Sequence, residues 1–219
     1  MAVHQTAETG PVVRAVANAG RRFTFVKEFI KSPGEVAAVS PSSRRLARRM
    51  IQGLDFSTAQ AVVEYGPGLG TFTDGIVTEL ERAAAKTPAH PRCRLIAIER
   101  NEKMAELLRR RHPDVALYHD DAANVRPICE SEGFQQVDYV VSGLGWPSFS
   151  DDLRTRILEA TADVLRPGGE FRTFGYHVGL LMRGAWDFRA TVRRLFSEVT
   201  ISKVVWGNMP PAFVYRCVK

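Results

Sequence analysis

Cysteine is scarce in this chain, with three residues among 219, and long apolar segments are missing. Three scattered cysteines are too few, and odd in number, for a disulfide framework or a zinc site, so we expect a reducing compartment and no metal. No apolar run approaches the roughly 18 residues that span a bilayer, and no charged region followed by an apolar core opens the chain. We therefore expect neither a membrane-spanning nor a signal-peptide-exported protein. The cysteines are Cys93, Cys129 and Cys217.

The chain shows no internal repeat or low-complexity tract, and its length suits one domain with an appendage. Helical periodicity alternates with short apolar runs, which predicts parallel βαβ units and a doubly wound sheet. The last two strand candidates, 199–205 and 212–218, are joined by a short turn and should be antiparallel. We predict an α/β fold with a mostly parallel seven-stranded sheet and helices on both faces over residues 56–219. A helical appendage should occupy residues 1–55.

The most informative segment is an apolar run that ends in an acid and three alternating glycines. It reads Val62-Val63-Glu64-Tyr65-Gly66-Pro67-Gly68-Leu69-Gly70-Thr71. Glycine lets backbone approach a ligand, and the helix that follows offers free N–H groups to a carboxylate. The dinucleotide fingerprint spaces its glycines differently, so a pyrophosphate is not the expected ligand. The loop resembles the first motif of the S-adenosylmethionine-dependent methyltransferases, with an ordinary glycine-rich turn as the alternative. That motif implies cofactor contacts from Glu64, Gly66, Gly68, Gly70 and Thr71.

Three later strand ends carry matching chemistry. Glu99, followed by Arg100, closes the second apolar run, where a carboxylate can accept both hydroxyls of a ribose. Asp120, Asp121 and Ala122 follow the third run, and we expect Asp121 to accept the adenine amine while Ala122 packs beside the ring. The fourth run ends in Ser142-Gly143-Leu144, which should face the transferred methyl group. Any single acid here can be a helix cap or a solvated charge, but four strand ends together favour a class I Rossmann-like methyltransferase.

The net charge of +6 is concentrated before the sheet. Residues 21–49 hold eight basic and two acidic side chains, so the remaining chain is neutral. Residues 23–31 place phenylalanines on one helical face and lysines on the other, as in helices that bind anionic membranes. Packing of that face on the core is the alternative, and both hold if the helix is a lid that switches between the two. The basic helix that begins at Ser40-Pro41 can also hold nucleic-acid phosphate, and charge alone does not separate lipid from RNA.

Several segments together resemble the bacterial phospholipid N-methyltransferases of the soluble single-domain type, including the ornithine lipid N-methyltransferases. They are residues 30–43, the glycine loop, Ser142-Gly143-Leu144, and Asn208-Met209-Pro210-Pro211-Ala212-Phe213-Val214-Tyr215. The resemblance implies a cytoplasmic protein that binds the inner membrane peripherally through its amino-terminal helix. It also implies S-adenosylmethionine as methyl donor and a lipid primary amine as substrate, methylated in up to three steps. Phosphatidylethanolamine is favoured over ornithine lipid, and no nucleic-acid partner is expected.

The related rRNA adenine dimethyltransferases supply the second interpretation. Their fourth motif reads Asn-Leu-Pro-Tyr or a near variant, which orients and stacks a flipped base. This chain has Ser142-Gly143-Leu144-Gly145-Trp146-Pro147 and lacks the asparagine, which disfavours RNA. Gly145 and Trp146 also depart from the Ser-Gly-Leu-Pro pattern of phosphatidylethanolamine enzymes, which leaves the headgroup open. A noncatalytic membrane-binding protein that keeps the nucleoside fold is a third class.

Methyl transfer to an amine requires its neutral form, and we expect a base near the end of the fifth strand. His177 is the candidate base or proton relay, and Tyr176 can accept a hydrogen bond or place its ring against the cationic product. Either the Ser142 hydroxyl or the loop carbonyls should hold an N–H of the amine. Ordinary structural roles are the alternative for Tyr176 and His177. The apolar segment 178–186 that follows either covers acyl chains or begins a buried helix.

Overall fold

A computed structural model describes residues 42–87 and 92–219. The predicted amphipathic helix at 23–31 and the cap at Ser40-Pro41 lie outside these residues. The helices are α1 (Arg44–Ile51), α2 (Thr71–Lys86), α3 (Glu102–Arg111), α4 (Val125–Ser131), α5 (Asp151–Val164) and α6 (Arg183–Leu195). The strands are β1 (Ala61–Tyr65), β2 (Arg94–Glu99), β3 (Ala116–His119), β4 (Val137–Ser142), β5 (Leu165–Tyr176), β6 (Glu198–Ile201) and β7 (Ala212–Val218). Short 3₁₀ turns cover Ala122–Asn124, Trp146–Ser148 and His177–Leu181.

The strands form one seven-stranded sheet in the order β3-β2-β1-β4-β5-β7-β6. Strands β1 to β5 are parallel, whereas β7 is antiparallel to both β5 and β6. The predicted mostly parallel α/β sheet and its antiparallel closing pair are therefore confirmed. Strand β6 ends at Ile201, earlier than the predicted 205, and a single bridge joins Val205 to Ala212. Strand order reverses between β1 and β4, and ligands of such sheets bind where the carboxyl ends of those strands diverge.

Both faces of the sheet are covered, which explains why β1 is buried along its whole length. One apolar cluster joins β1, β4 and β5 to α5 and α6, and the other joins the opposite face to α1 and α2. Residues Leu46 and Met50 of α1 are fully buried in the second cluster. The predicted domain boundary at residue 55 thus does not coincide with an edge of the hydrophobic core. Among the described helices, none is long and apolar enough to cross a bilayer.

Helix α1 is fixed to the sheet by polar contacts at both ends. At its start, the Ser43 amide donates to Asn208 Oδ1 at 2.8 Å, and Asn208 Nδ2 donates to the Pro210 carbonyl at 2.8 Å. At its end, the buried Arg172 donates to the Gln52 carbonyl at 2.7 Å, which satisfies an acceptor that the helix leaves open. The Asn-Met-Pro-Pro segment singled out in the sequence therefore anchors the amino-terminal part of the chain.

Candidate functional site

The site lies where the loops after β1 and β4 meet. The Gly143 amide donates to the Tyr65 carbonyl at 2.7 Å, so the two loops are joined backbone to backbone. A Cβ on Gly143 would lie 2.6 Å from the Gly66 oxygen, closer than any side chain permits. Gly66 itself has a φ of +60°, in the left-handed region, and its Cβ would lie 2.8 Å from Leu144. Glycine at both positions is what allows this contact.

An open cleft of about 1030 Å³, counted out to its mouth, begins at this junction. Its walls include Gly66, Gly68, Thr71, Gly143 and Leu144 from the predicted motifs. Side chains that the sequence did not single out complete it: Ser42, Phe72, Asn101, Met104, Phe149 and Phe174. No motif predicts these residues, although Phe72, Asn101 and Met104 lie at or near the starts of the helices that follow β1 and β2. Six of the thirteen predicted cofactor residues therefore line this cleft: Gly66, Gly68, Thr71, Glu99, Gly143 and Leu144.

Glu99 lies in the cleft wall with its carboxylate held by backbone. Its Oε2 accepts from the Gly68 amide at 2.9 Å and its Oε1 from the Asn101 amide at 2.8 Å. An ionised carboxylate has about four acceptor positions, so each oxygen can accept one further hydrogen bond. The carboxylate thus fixes the glycine loop and still offers two acceptors to a pair of neighbouring hydroxyls.

A smaller recess continues the cleft past Glu99. It is lined by Arg100, Asp120, Asp121 and Ala122, together with Ile98, Phe149, Leu153 and Ile157. Asp121 Oδ1 accepts from the Ala123 amide at 2.9 Å and so caps the following 3₁₀ turn. Within the described part of the chain, Asp121 Oδ2 has no hydrogen-bond partner. The recess therefore combines an apolar slot with one open carboxylate oxygen, which suits a flat ring that carries an amine.

At the other end, the cleft adjoins an apolar pocket of about 570 Å³ of empty space, counted out to its mouth. Leu144, Gly145, Ser148 and Phe174 line both spaces. The rest of the pocket is mainly aromatic: Trp146, Tyr176, Phe188, Phe213 and Tyr215. Burial raises the pKa of Tyr176 to about 12, so its hydroxyl is protonated near pH 7. Tyr176 is therefore placed at the predicted end of β5, but as a neutral hydroxyl and an aromatic wall rather than a base.

Comparison with known proteins identifies the chain. It is 32% identical over 198 residues to the ornithine lipid N-methyltransferase of Singulisphaera acidiphila, and the match covers 89% of this chain and 94% of that protein. The chain belongs to the bacterial lipid N-methyltransferase family. A search against protein-family models gave no match.

Solved structures agree on the fold of this methyltransferase. A SAM-dependent O-methyltransferase from Thermotoga maritima has a TM-score of 0.58 at 15% identity, over 89% of this chain and 71% of its own. A TehB-like SAM-dependent methyltransferase from Corynebacterium glutamicum has a TM-score of 0.57 at 11% identity, over 92% of this chain and all of its own. The class I Rossmann-like fold predicted from the sequence is thus confirmed. Membership of the lipid N-methyltransferase family is what supports S-adenosylmethionine as the methyl donor.

The residues present fit that cofactor. The two open acceptors of Glu99 suit the ribose hydroxyls, and the recess beyond it suits the adenine. Glu64 does not line the cleft: it is fully buried, and its Oε2 accepts from the Thr73 hydroxyl at 2.8 Å. Its Oε1 is buried without a hydrogen-bond partner among the described residues. Burial raises the pKa of Glu64 to about 8, so in the protein alone this carboxyl is mostly neutral at pH 7.

Gly70 also lies behind the cleft rather than in it. Its φ is +81°, and a Cβ there would lie 2.8 Å from Leu108 of α3, so this glycine allows the loop to pack on a helix. Arg111 of the same helix donates to the Leu69 carbonyl at 3.0 Å and contacts Asp74. The glycine loop is thus supported from behind by α3.

Ser142 differs from its predicted role as a substrate contact. It is fully buried, and its hydroxyl accepts from the Leu144 amide at 3.2 Å. Beneath the same loop, Trp146 Nε1 donates to the Thr173 hydroxyl at 2.8 Å, and that hydroxyl donates to the Ser142 carbonyl at 3.2 Å. Ser142 therefore supports the loop from below and does not reach the cleft.

His177 also departs from its predicted role, after Glu64, Gly70 and Ser142. Strand β5 ends at Tyr176, and His177 begins the 3₁₀ turn that follows and is not among the residues that line the pocket. The His177 side chain is exposed, its ring centre lies 6.1 Å from that of Trp206, and its amide donates to the Pro211 carbonyl at 2.8 Å. The structure therefore does not place the predicted base beside the cofactor cleft.

Proposed function

We propose that this methyltransferase transfers methyl groups to the primary amine of an ornithine lipid headgroup, in up to three steps. The observation that carries the proposal is the aromatic pocket that meets the cofactor cleft at Leu144 and Gly145. The named activity of the Singulisphaera relative supports ornithine lipid over phosphatidylethanolamine, which reverses the order that the sequence favoured.

The chemistry of the pocket suits an amine acceptor. When bound, the cofactor supplies an electrophilic methyl carbon on a sulfonium. An apolar wall favours the neutral amine, whose lone pair is needed, because desolvation penalises the ammonium form. Aromatic faces then attract the cationic methylated product. The proton that the amine gives up passes to solvent, since the titratable side chains that line this pocket in the described chain are the tyrosines Tyr176 and Tyr215, whose pKa values are raised by burial.

The rRNA interpretation is less well supported. An aromatic residue in the fourth motif stacks on a flipped base in that class. Here Trp146 is buried beneath the loop, where its ring packs against Phe149, Phe171 and Phe188. It therefore does not offer a face to a base, and we propose no nucleic-acid partner.

The deciding assay is methyl transfer from labelled S-adenosylmethionine to vesicles that contain ornithine lipid or phosphatidylethanolamine, with undermethylated small-subunit rRNA in parallel. We expect label in ornithine lipid, with mass spectrometry giving the number of methyl groups. Label confined to phosphatidylethanolamine would show that this lipid, and not ornithine lipid, is the substrate. Label confined to RNA would overturn the proposal.

Membrane attachment through residues 23–31 is part of the proposal, as is a peripheral position on the cytoplasmic face of the inner membrane. The aromatic and basic faces of that segment support it. Removing residues 1–31 should weaken binding to anionic vesicles, and salt should weaken binding of the full chain. Equal binding with and without residues 1–31 would place the membrane contact elsewhere.

A further inference from the structure

Three large hydrophobic side chains stand out from the rest of the described surface. Leu181 is 90% exposed, Trp206 is 71% exposed and Trp186 is 62% exposed. We propose that these three residues, here called the pocket rim, insert into the interface of an anionic lipid bilayer and hold the mouth of the aromatic pocket against it.

The three residues come from different elements, and each adjoins, in the chain or by ring packing, a residue at or next to the same pocket. Leu181 directly follows Leu180, and Trp186 directly follows Ala185, and both preceding residues line the pocket. Trp206 packs at 6.1 Å against the ring of His177, which directly follows the pocket residue Tyr176. Leu181 and Trp186 are therefore chain neighbours of the pocket wall, and Trp206 packs against the exposed residue that follows Tyr176.

The charges around the rim suit an anionic surface. The side chain of Arg183 is 96% exposed, and the guanidinium of Arg189 lies 6.0 Å from the centre of the Trp186 ring. Arg45 of α1 lies beside Gly207, whose Cβ would be 2.7 Å from its Cδ, so a further cation adjoins Trp206. The nearby acid, Asp187, lies 3.8 Å from Arg154 and 4.0 Å from Arg183. Each basic side chain near an anionic bilayer contributes to the binding energy, and tryptophan prefers the boundary between headgroups and acyl chains.

We assign a bilayer, rather than a protein, as the partner of the pocket rim because the pocket is proposed to receive a lipid headgroup. This step depends on the proposed function: a lipid headgroup that reaches the cofactor cleft must keep its acyl chains in an apolar phase. A rim of exposed apolar side chains at the pocket mouth lets the headgroup enter without exposing those chains to water. Coverage of the rim by residues 23–31 of the same chain is the competing possibility, which the test separates.

The positions of the tryptophans make the test specific. The chain has three, and the third, Trp146, is buried. We would record tryptophan fluorescence of the full chain with vesicles of brominated phosphatidylcholine and phosphatidylglycerol, which quench indole at the depth of the bromine. The variants Trp186→Phe and Trp206→Phe, made singly and together, show which tryptophan the bromine quenches. We expect quenching in the wild type and in each single variant, and none in the double variant, which retains Trp146.

Binding is measured on the same vesicles by sedimentation. Leu181→Ser with Trp186→Ser and Trp206→Ser should lower the partition coefficient by about tenfold or more. The control is Leu107→Ser, which alters another exposed leucine, on α3 toward the opposite edge of the sheet, and should leave binding unchanged. Circular dichroism establishes that each variant is folded.

Two results would overturn the inference. One is sedimentation without quenching, which would mean that another surface, such as residues 23–31, binds the bilayer while the rim stays out of it. The other is the absence of sedimentation. Neither result bears on the lipid substrate, because these vesicles contain no primary amine. The converse outcome is quenching of the tryptophans in a protein that methylates neither ornithine lipid nor phosphatidylethanolamine. That result would support membrane insertion of the pocket rim and reject the proposed function.

Discussion

Replacing Glu64 by glutamine should remove a pH dependence of stability that originates in one buried carboxyl. In the folded protein burial raises the pKa of this group from 4.5 to about 8, against an opposing contribution from the Thr73 hydrogen bond. Below pH 4.5 the group is protonated in both the folded and unfolded states, and its contribution to stability is fully present. Between pH 4.5 and about 8 the unfolded chain releases the proton while the folded chain keeps it, so stability falls as the pH rises.

The expected slope follows from the linkage relation. One proton bound more tightly in the folded state lowers the free energy of unfolding by about 1.4 kcal/mol per pH unit. Between pH 5 and pH 7.5 the loss amounts to about 3 kcal/mol. Glutamine cannot ionise, so the difference in free energy of unfolding between Glu64→Gln and the wild type should grow by that amount over this range. A constant offset of about 1–3 kcal/mol will accompany it, because the amide N–H₂ is buried without a partner.

The measurement is urea unfolding, followed by circular dichroism, of both proteins at half-unit steps from pH 5 to pH 9. Equal m values at each pH show that the comparison concerns stability and not compactness. Thr73→Val supplies a companion, since loss of the hydroxyl that favours the charged form should raise the pKa of Glu64 further and extend the fall above pH 8. Parallel pH profiles for Glu64→Gln and the wild type would refute the reasoning.

Further predictions concern the cleft itself. Glu99→Gln should weaken S-adenosylmethionine binding by about 10- to 100-fold in calorimetry, because charge-assisted hydrogen bonds are lost, and unchanged affinity would remove it as the ribose acceptor. Arg111→Gln removes the donor to the Leu69 carbonyl and should weaken the same affinity by about fivefold, whereas an unaltered value would mean that the loop needs no such support. His177→Ala should leave methyl transfer to dispersed lipid within about twofold. With solvent as the proton acceptor, log kcat/KM should rise by about one per pH unit from pH 7 to 9, and a plateau above about pH 6.5 would instead indicate a histidine base.

The sequence predicted the sheet well because the residues at the strand ends both mark the turns and provide the predicted cofactor contacts. An apolar run closed by an acid marks the ends of β1 and β2, and the turn after each is what the cofactor requires. Contacts between residues that are far apart in the sequence were less predictable. The hydrogen bond from Ser43 to Asn208 joins residues 165 positions apart, and no local pattern contains that information. The aromatic wall formed by Phe149 and Phe174 likewise arises from packing.

The departures of Ser142 and His177 from their predicted catalytic roles share a physical cause. Sequence order shows which residues leave a strand end but not which side each side chain takes. Tyr176 and His177 are neighbours, but β5 ends at the first, which lines the pocket, and the second begins a 3₁₀ turn and is exposed. Ser142 is the last residue of β4, and its hydroxyl turns back to accept from the Leu144 amide. Motif spacing placed both residues near the site and left their orientation open.

The position of Leu144 indicates that Ser142 has a positioning role. Leu144 borders the cofactor cleft, its recess and the aromatic pocket, so it stands where the methyl group and the amine must meet. Methyl transfer gains most of its rate from alignment of the reacting atoms, and small displacements are costly. The Ser142 hydroxyl fixes the Leu144 amide, and the indole of Trp146 fills the space beneath the loop. We therefore expect catalysis to depend on the buried Ser142 hydroxyl, because it holds the loop where the two chambers join.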